Sequence, residues 1–239
     1  MKRSHDRFRW VIVGGGAAGC WLARRLAASR SGSVALIEAG RAPRDARAVV
    51  PAWYPLAQNS RLDWAYRTEP QVELGGRRLA WPRGKRLGGS SAINALISML
   101  PARGDLVRWR RVVGGNWTAA LNAMELRLAA ALRTAPSGDV VCPITGLTLE
   151  PVNKTHAWCR AFLDAATAAG LKARSPWLRS EPNACGNYWL TAKSGRRQTC
   201  ADPLMLLENP GTQASDDAWS NLEVFSGCHV HRIVIERGR

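Results

Sequence analysis

The stretch Phe8-Arg9-Trp10-Val11-Ile12-Val13-Gly14-Gly15-Gly16-Ala17-Ala18-Gly19, continued to Glu38, decides how this chain folds. Phe8 to Val13 is apolar and rich in β-branched residues, as a strand buried in a parallel sheet requires. Gly14 to Gly16 break the run. Ala17 to Ser29 then has helical spacing, with Ala18, Leu22 and Leu26 expected on one face. Ser31-Gly32 punctuates the chain. Ser33 to Ile37 reads as a second short strand, ending at Glu38. Strand, turn, helix and strand together make a βαβ unit of about 30 residues.

Three glycines give the turn its chemistry. In Gly14-x-Gly16-x-x-Gly19, the first glycine allows a tight strand-to-helix turn. The second lets the backbone approach a pyrophosphate, and the third lets helix and strand pack closely. The helix N-terminus then offers N–H groups and a partial positive charge to phosphate oxygens. Glu38 closes the next strand 19 residues after Gly19. An acid there accepts hydrogen bonds from ribose hydroxyls and repels a 2′-phosphate, so NADP is disfavoured. This motif alone does not separate FAD from NAD.

Composition narrows the class. A chain of 239 residues with 46% apolar residues is long enough for one large domain or two small ones, and is globular. No apolar run reaches the roughly 20 residues that a membrane-spanning helix needs. Lys2, Arg3, Arg7 and Arg9 ahead of Trp10–Ala23 imitate a signal peptide. The ordered glycines inside that run argue against one, and the cytoplasm is the default compartment. Six cysteines stand apart, without a C-x-x-C pair, so neither a zinc site nor a redox motif is expected and the thiols read as reduced. The formal charge is +16, and 29 of the 34 basic residues are arginine. Those arginines are scattered as pairs such as Arg24-Arg25 and Arg110-Arg111, with no basic block. That pattern fits a solvated surface better than a nucleic-acid site.

Further along, Arg41 to Gln71 reads as irregular. Gly75-Gly76 turns a hairpin between Trp64–Thr68 and Arg78–Trp81. A glycine-rich loop, Gly84 to Ser91, leads into the apolar stretch Ala92–Leu100, expected as a helix. Leu121 to Leu132 reads as helical. Pro136 to Gly146 reads as a loop and a boundary. Ala157 to Gly170 reads as a helix with a glycine cap, His156 standing at its start as a cap or surface residue. Leu222 to Glu236 reads as two strands around Ser226-Gly227, which places Val230 between His229 and His231 on a strand.

Arg83-Gly84-Lys85-Arg86-Leu87-Gly88-Gly89-Ser90-Ser91-Ala92-Ile93-Asn94 gathers backbone donors and two hydroxyls. By its residues alone it fits an anion cradle or a plain surface turn equally well. With Pro82 in front, the run resembles the first signature of the glucose–methanol–choline (GMC) oxidoreductases. Trp64-x-Tyr66-x-Thr68-Glu69-Pro70-Gln71, Glu38-Ala39-Gly40, Asp105 to Trp109, Gly195-Arg196-Arg197 and Val224 to Arg239 resemble further segments of that family.

The resemblance implies a Rossmann-like α/β FAD-binding domain, a parallel sheet with flanking helices, plus part of a smaller α+β substrate domain. The expected boundaries are 1–146 for the first, with 220–239 returning to it, and 147–219 for the second. It implies FAD contacts from Gly14, Gly16, Ala17, Ala18 and Gly19 to the pyrophosphate, and from Glu38 and Ala39 at the ribose. Trp64, Gly89, Ser90, Asn94, Ala95 and Leu96 are expected near the flavin half, and Val230 against the adenine through its backbone. Trp64 as a core aromatic and Val230 as an ordinary strand residue are equally open readings. Some members attach FAD through a histidine just before the signature asparagine. Here Ile93 stands there, so the flavin is expected to be noncovalent. After Asn94, Ser98, Leu100 and Pro101 depart from the family's aromatic and Arg-Gly pattern.

The implied activity is oxidation of the CH–OH group of a small alcohol, with hydride passing to flavin N5. The family's general base is a histidine near its C-terminus. His5, His156, His229 and His231 do not match that context, so no catalytic residue and no metal ligand is assigned. The chain is expected to be an N-terminal part of the family's length, leaving the sheet an unpaired edge. Other readings are a non-catalytic basic binding module on a decayed flavin domain, a GMC-related lyase, and, disfavoured by the Gly84–Asn94 signature, an NAD enzyme. Neither the substrate, the electron acceptor nor the oligomeric state is encoded in these motifs.

Overall fold

The protein is described from a computed structural model. The structure describes residues 8–41, 45–99, 102–113, isolated positions between 119 and 130, 139–142, 146–152, 155–173, 183–205 and 220–235. The chain divides into two compact units, one running to Ala95 and resuming at Arg197, the other from Leu96 to Arg196. The sequence reading puts the crossings later, at 146 and 219. The first difference has a clear cause: the stretch after Asn94, read as a helix of the first domain, instead forms a strand that pairs within the second unit.

The first unit is built on strand β1 (Trp10–Val13), helix α1 (Ala17–Ala28) and strand β2 (Val34–Glu38). β2 lies centrally, with β1 on one side and the strand Leu222–Ser226 on the other, all parallel. Parallel pairing buries the middle strand on both faces. Accordingly Val34, Ala35 and Leu36 are all buried. The core under α1 joins Ile12, Cys20, Ala23, Val34 and Leu36 to Leu87, Ala201 and Leu204.

The buried face of α1 differs from the one expected. Cys20, Ala23 and Ala27 face inward, Leu26 is partly buried against the core, and Ala18 and Leu22 are exposed. The physical reason lies in Gly19. A Cβ there would run into the carbonyl oxygen of Gly14 and press on Ile12. A helix held that close to the sheet accepts only small side chains on its inner side, and Cys20, Ala23 and Ala27 continue the glycine at helical spacing.

The opposite sheet face is covered at its centre, where Ala35 is buried, and more exposed on the flanking strands. Val11 and Val13 are each 55% exposed and Phe225 is 37% exposed. Among the described residues, β1 pairs with β2 alone. The C-terminal segment holds one strand, where two were expected: residues 228–235 form none.

Short helical turns at Ala46–Ala48 and Pro51–Trp53, and a four-residue helix Tyr54–Ala57, occupy part of the region read as irregular. They pack Ala48 and Ala57 with Leu62, Ala92 and Ile93 in a second small core. The Gly75-Gly76 hairpin forms as expected, pairing Tyr66 with Trp81 and Arg67 with Ala80.

The second unit carries an antiparallel sheet in the order Ile97–Ser98, Trp189–Leu190, Thr148–Pro151, Val140–Val141. Leu147, Leu149, Val140 and Trp189 are buried in it. The pair at 140–141 falls inside the stretch read as a loop. Helix Ala157–Ala168 matches its expected position, and His156 caps it by accepting a hydrogen bond from the Trp158 N–H at Nδ1 (3.2 Å). Leu121–Leu132 lies largely outside the described residues.

Candidate functional site

The site grows from the glycine turn between β1 and α1. Gly14 has φ +97°, a conformation that glycine adopts without strain. Its N–H donates to Ile37 O (2.8 Å), which fixes the turn to the end of β2. Helix α1 starts after Gly16 with no capping side chain and no acid in its first turn. Its first N–H groups therefore present an anion-binding end.

Glu38 closes the turn from the other side. It is 5% exposed, and its two carboxylate oxygens accept from the N–H groups of Gly15 and Gly40, each at 2.8 Å. A carboxylate oxygen has a second lone pair beyond each of these bonds. Glu38 thus faces the glycine turn, is held by two backbone donors and lines the cavity beside them.

A second glycine loop packs against the back of the first. The Gly88 N–H donates to Gly15 O (2.8 Å), and a Cβ on Gly89 would lie 2.6 Å from Gly16 Cα. Gly84 and Gly40 are equally close to backbone, facing Gly89 and Lys85 respectively. The signature run continues as one turn of 3-10 helix, Gly89–Ala92, where a longer helix was expected. The glycines are thus required by contact between two backbones, which no side chain can enter.

Asp63 ties the Trp64 loop into this cradle. The Asp63 carboxylate is 7% exposed and accepts from the N–H groups of Arg83 (2.7 Å), Asn59 (2.8 Å) and Ala65 (3.1 Å). Backbone bonds from Trp64 N–H to Arg83 O and from Lys85 N–H to Leu62 O complete the seam. Trp64 stacks on Tyr66 (5.8 Å between centroids, 8° between planes) and meets the edge of His229 (5.5 Å). Lys85 Nζ stands 4.4 Å from the Trp64 ring centroid, in cation–π range.

These elements line an open cavity of about 530 Å³. Of the residues singled out in the sequence, Gly14, Gly16, Ala17, Glu38, Ala39, Trp64, Gly89, Ser90 and Val230 line it. Ala18, Gly19, Asn94, Ala95 and Leu96 do not. Gly19 serves instead to seat the helix. Leu96 belongs to the second unit, is buried, has φ +65°, and its carbonyl accepts from Thr191. Trp64 and Val230 line one cavity, Trp64 resting on His229 next to Val230 in sequence.

The cavity wall also includes Arg83, Gly84 and Ser91, which the sequence reading placed in a candidate anion cradle without assigning them a contact, and Tyr66, Cys228 and His229, to which it assigned no cofactor contact. Tyr66 was not legible from alternation, because Ala65 between it and Trp64 has φ +52° and the left-handed residue brings the two rings together. His229 packs against His231 (4.7 Å between centroids). Among the described residues, no group of three or more His, Cys, Asp or Glu side chains is placed to hold a metal ion, and no helix is long and apolar enough to cross a membrane. Burial pushes the Cys20 thiol, behind the glycine turn, up to about 11.

A turn of this form, an acid at the end of the second strand and a second glycine loop laid against the first suit a dinucleotide. The sequence profile of the family described as GMC oxidoreductase matches residues 8–239. The chain belongs to the GMC oxidoreductases. Curated relatives include an alcohol dehydrogenase [acceptor] of Pseudomonas putida, 30% identical over 240 residues, covering 96% of this chain and 40% of that protein. A pyridoxine 4-oxidase of Microbacterium luteolum is 30% identical over 232 residues, covering 95% of this chain and 44% of the relative. Among solved structures, a pyridoxine 4-oxidase from Mesorbium loti superposes with a TM-score of 0.72 at 30% identity, covering 95% of this chain and 43% of that one. A formate oxidase shares the fold, with a TM-score of 0.73 at 23% identity. This chain spans about two fifths of the length of the proteins it matches, from 40% to 44% in the cases above.

Proposed function

We propose that this chain is the cofactor-holding part of a GMC oxidoreductase, binding FAD noncovalently and serving the oxidation of the CH–OH carbon of a small alcohol. One observation carries the reading: two glycine loops lie backbone to backbone, and the buried Glu38 carboxylate closes the same cavity. The residues present fit the cofactor. The Gly14–Gly19 turn and the start of α1 offer N–H groups to the diphosphate. Glu38, held by Gly15 and Gly40, turns its remaining lone pairs to ribose hydroxyls. Val230, the stacked Trp64 and Tyr66, and His229 edge-on to Trp64 supply ring and apolar surface along the wall.

FAD, when bound, supplies the hydride acceptor for alcohol oxidation. The part of this chain is to bind and orient it. Ile93, 2% exposed and aliphatic, offers no nucleophile for a covalent flavin link, which supports the noncovalent form. No general base is assigned to a residue of this chain. The substrate reading is supported by the alcohol-oxidising names of its relatives, the alcohol dehydrogenase and the pyridoxine oxidase among them. The test is an absorbance spectrum of the purified protein, alone and titrated with FAD, followed by acid precipitation. Flavin bands that stay with the protein and are released into the acid supernatant are expected. A folded protein that remains colourless with FAD present refutes the reading.

A further inference from the structure

Arg197 is not part of the cavity wall, yet it grips the loop that is. It is 4% exposed. Its Nη1 donates to Ser91 O (3.1 Å) and to Asn94 Oδ1 (2.8 Å), and its Nη2 donates to Asn94 O (2.7 Å). Its own backbone N–H donates to Val49 O (2.9 Å), so the arginine is anchored at both ends. The same short segment adds a second tie. The Cys200 N–H donates to Ser91 Oγ (2.9 Å), and that hydroxyl donates in turn to Gly88 O (2.5 Å). Thr199 packs directly behind Gly88.

These bonds converge on the end of the second glycine loop, from Gly88 to Asn94. A guanidinium holds a planar fork of donors, which a lysine ammonium cannot reproduce. Here the fork spans one side-chain and two backbone oxygens. With its oxygen committed to Arg197, the Asn94 amide is fixed in one of its two orientations, and its nitrogen is turned away from the guanidinium. An isolated buried guanidinium is costly, so a nearly enclosed arginine depends on the hydrogen bonds its donors make. Arg197 Nε has no hydrogen-bond partner among the described residues, which makes the three bonds of its Nη atoms its main compensation.

We propose that Arg197 is a positioning residue for the flavin-facing end of the cofactor cradle, holding Ser91 to Asn94 in place and setting the orientation of the Asn94 amide. The proposal rests on the FAD reading above, in which Gly89 to Asn94 lie toward the flavin half. Glu38 and the Gly14–Gly19 turn, which serve the ADP half, make no hydrogen bond to Arg197.

The test separates the two halves of the cofactor. The whole chain, as wild type, Arg197→Met and Arg197→Lys, is titrated with FAD by flavin fluorescence and with ADP by calorimetry. Arg197→Met is expected to weaken FAD about ten- to a hundredfold, the effect of losing one or two charge-assisted bonds, while ADP affinity stays within about twofold. Arg197→Lys is expected to recover part of the FAD affinity, and the long-wavelength band of its bound flavin is expected to be shifted from that of the wild type. Equal weakening of both ligands marks a purely structural role and overturns the proposal. So does unchanged FAD affinity in either variant. If Arg197→Met does not fold, Arg197→Lys decides by the same comparison of ligands. A wild-type chain that binds neither ligand removes the cofactor reading itself, and this inference with it.

Discussion

Gly89→Ala is the most informative single change, because the structure supplies its own control. Gly89 has φ +53° and Gly75 has φ +65°, so both occupy the left-handed region. An L-residue there costs about 1–2 kcal/mol. The surroundings differ. A Cβ at Gly75 meets nothing within 4 Å, whereas one at Gly89 meets Gly16 Cα at 2.6 Å. Carbon atoms rest about 3.5–4.0 Å apart, so the two glycine loops must separate by roughly 1 Å. Forcing atoms into packed space adds about 1–3 kcal/mol. Gly75→Ala should therefore lower stability by about 1–2 kcal/mol and Gly89→Ala by about 2–5 kcal/mol. At roughly 2–4 °C per kcal/mol for a chain of this size, Gly89→Ala melts measurably below Gly75→Ala in a circular-dichroism thermal scan. FAD titration completes the assay: affinity falls at least about tenfold for Gly89→Ala, since the displaced loop shares the cavity wall, and holds for Gly75→Ala. Equal melting temperatures, or wild-type FAD affinity in Gly89→Ala, would refute the close-approach argument.

Three further outcomes follow from the same geometry. Glu38→Gln keeps one acceptor but sets an amide N–H₂ against the Gly15 or Gly40 N–H. That mismatch costs about 1–3 kcal/mol, so ADP affinity measured by calorimetry drops about tenfold and discrimination against the 2′-phosphorylated analogue narrows. The Asp45 carboxylate, 6% exposed, is held far below the usual carboxylate range, chiefly by the hydrogen bond from Arg47 and also by Arg61. A depressed value contributes stability that is fully present above about pH 3.9 and is lost only as pH falls through the depressed value itself, so Asp45→Asn lowers the urea midpoint at pH 7, and the gap to wild type starts to narrow below about pH 3.9 and is still open at pH 3. Cys159 and Cys228 are exposed, whereas Cys20 is buried with its thiol raised to about 11. Alkylation at pH 8 with mass-spectrometric mapping therefore labels the first two in the native protein and Cys20 only after unfolding.

Local signals carried the parts of the fold that are local. The β-branched run into Gly14, the glycine spacing and Glu38 lie within one βαβ unit, and that unit formed as read. Gly75-Gly76 likewise marked its hairpin. What escaped depends on distance and crowding. The inner face of α1 was taken as leucine-bearing because periodicity weighs apolar size, whereas a helix pressed on a sheet by Gly19 selects Cys20, Ala23 and Ala27. The stretch after Asn94 is apolar enough for a helix, but its pairing partner, Trp189–Leu190, lies about 90 residues downstream. Arg197 is one of 29 arginines, and although Gly195-Arg196-Arg197 resembles a family segment, nothing local marks its side chain as buried. Its role shows only when Ser91 and Asn94 are brought to it. Asp63 was invisible for the same reason: its value lies in three backbone donors from different turns.

The claim on which the account turns is that the two glycine loops form one cradle for a single dinucleotide. Amide hydrogen exchange of the whole chain, with and without FAD, tests it most directly. Protection is expected to rise together at Gly14–Gly19 and at Gly84–Ser91, while helix Ala157–Ala168 exchanges as before. Unchanged exchange at both loops, or protection confined to one of them, would contradict it.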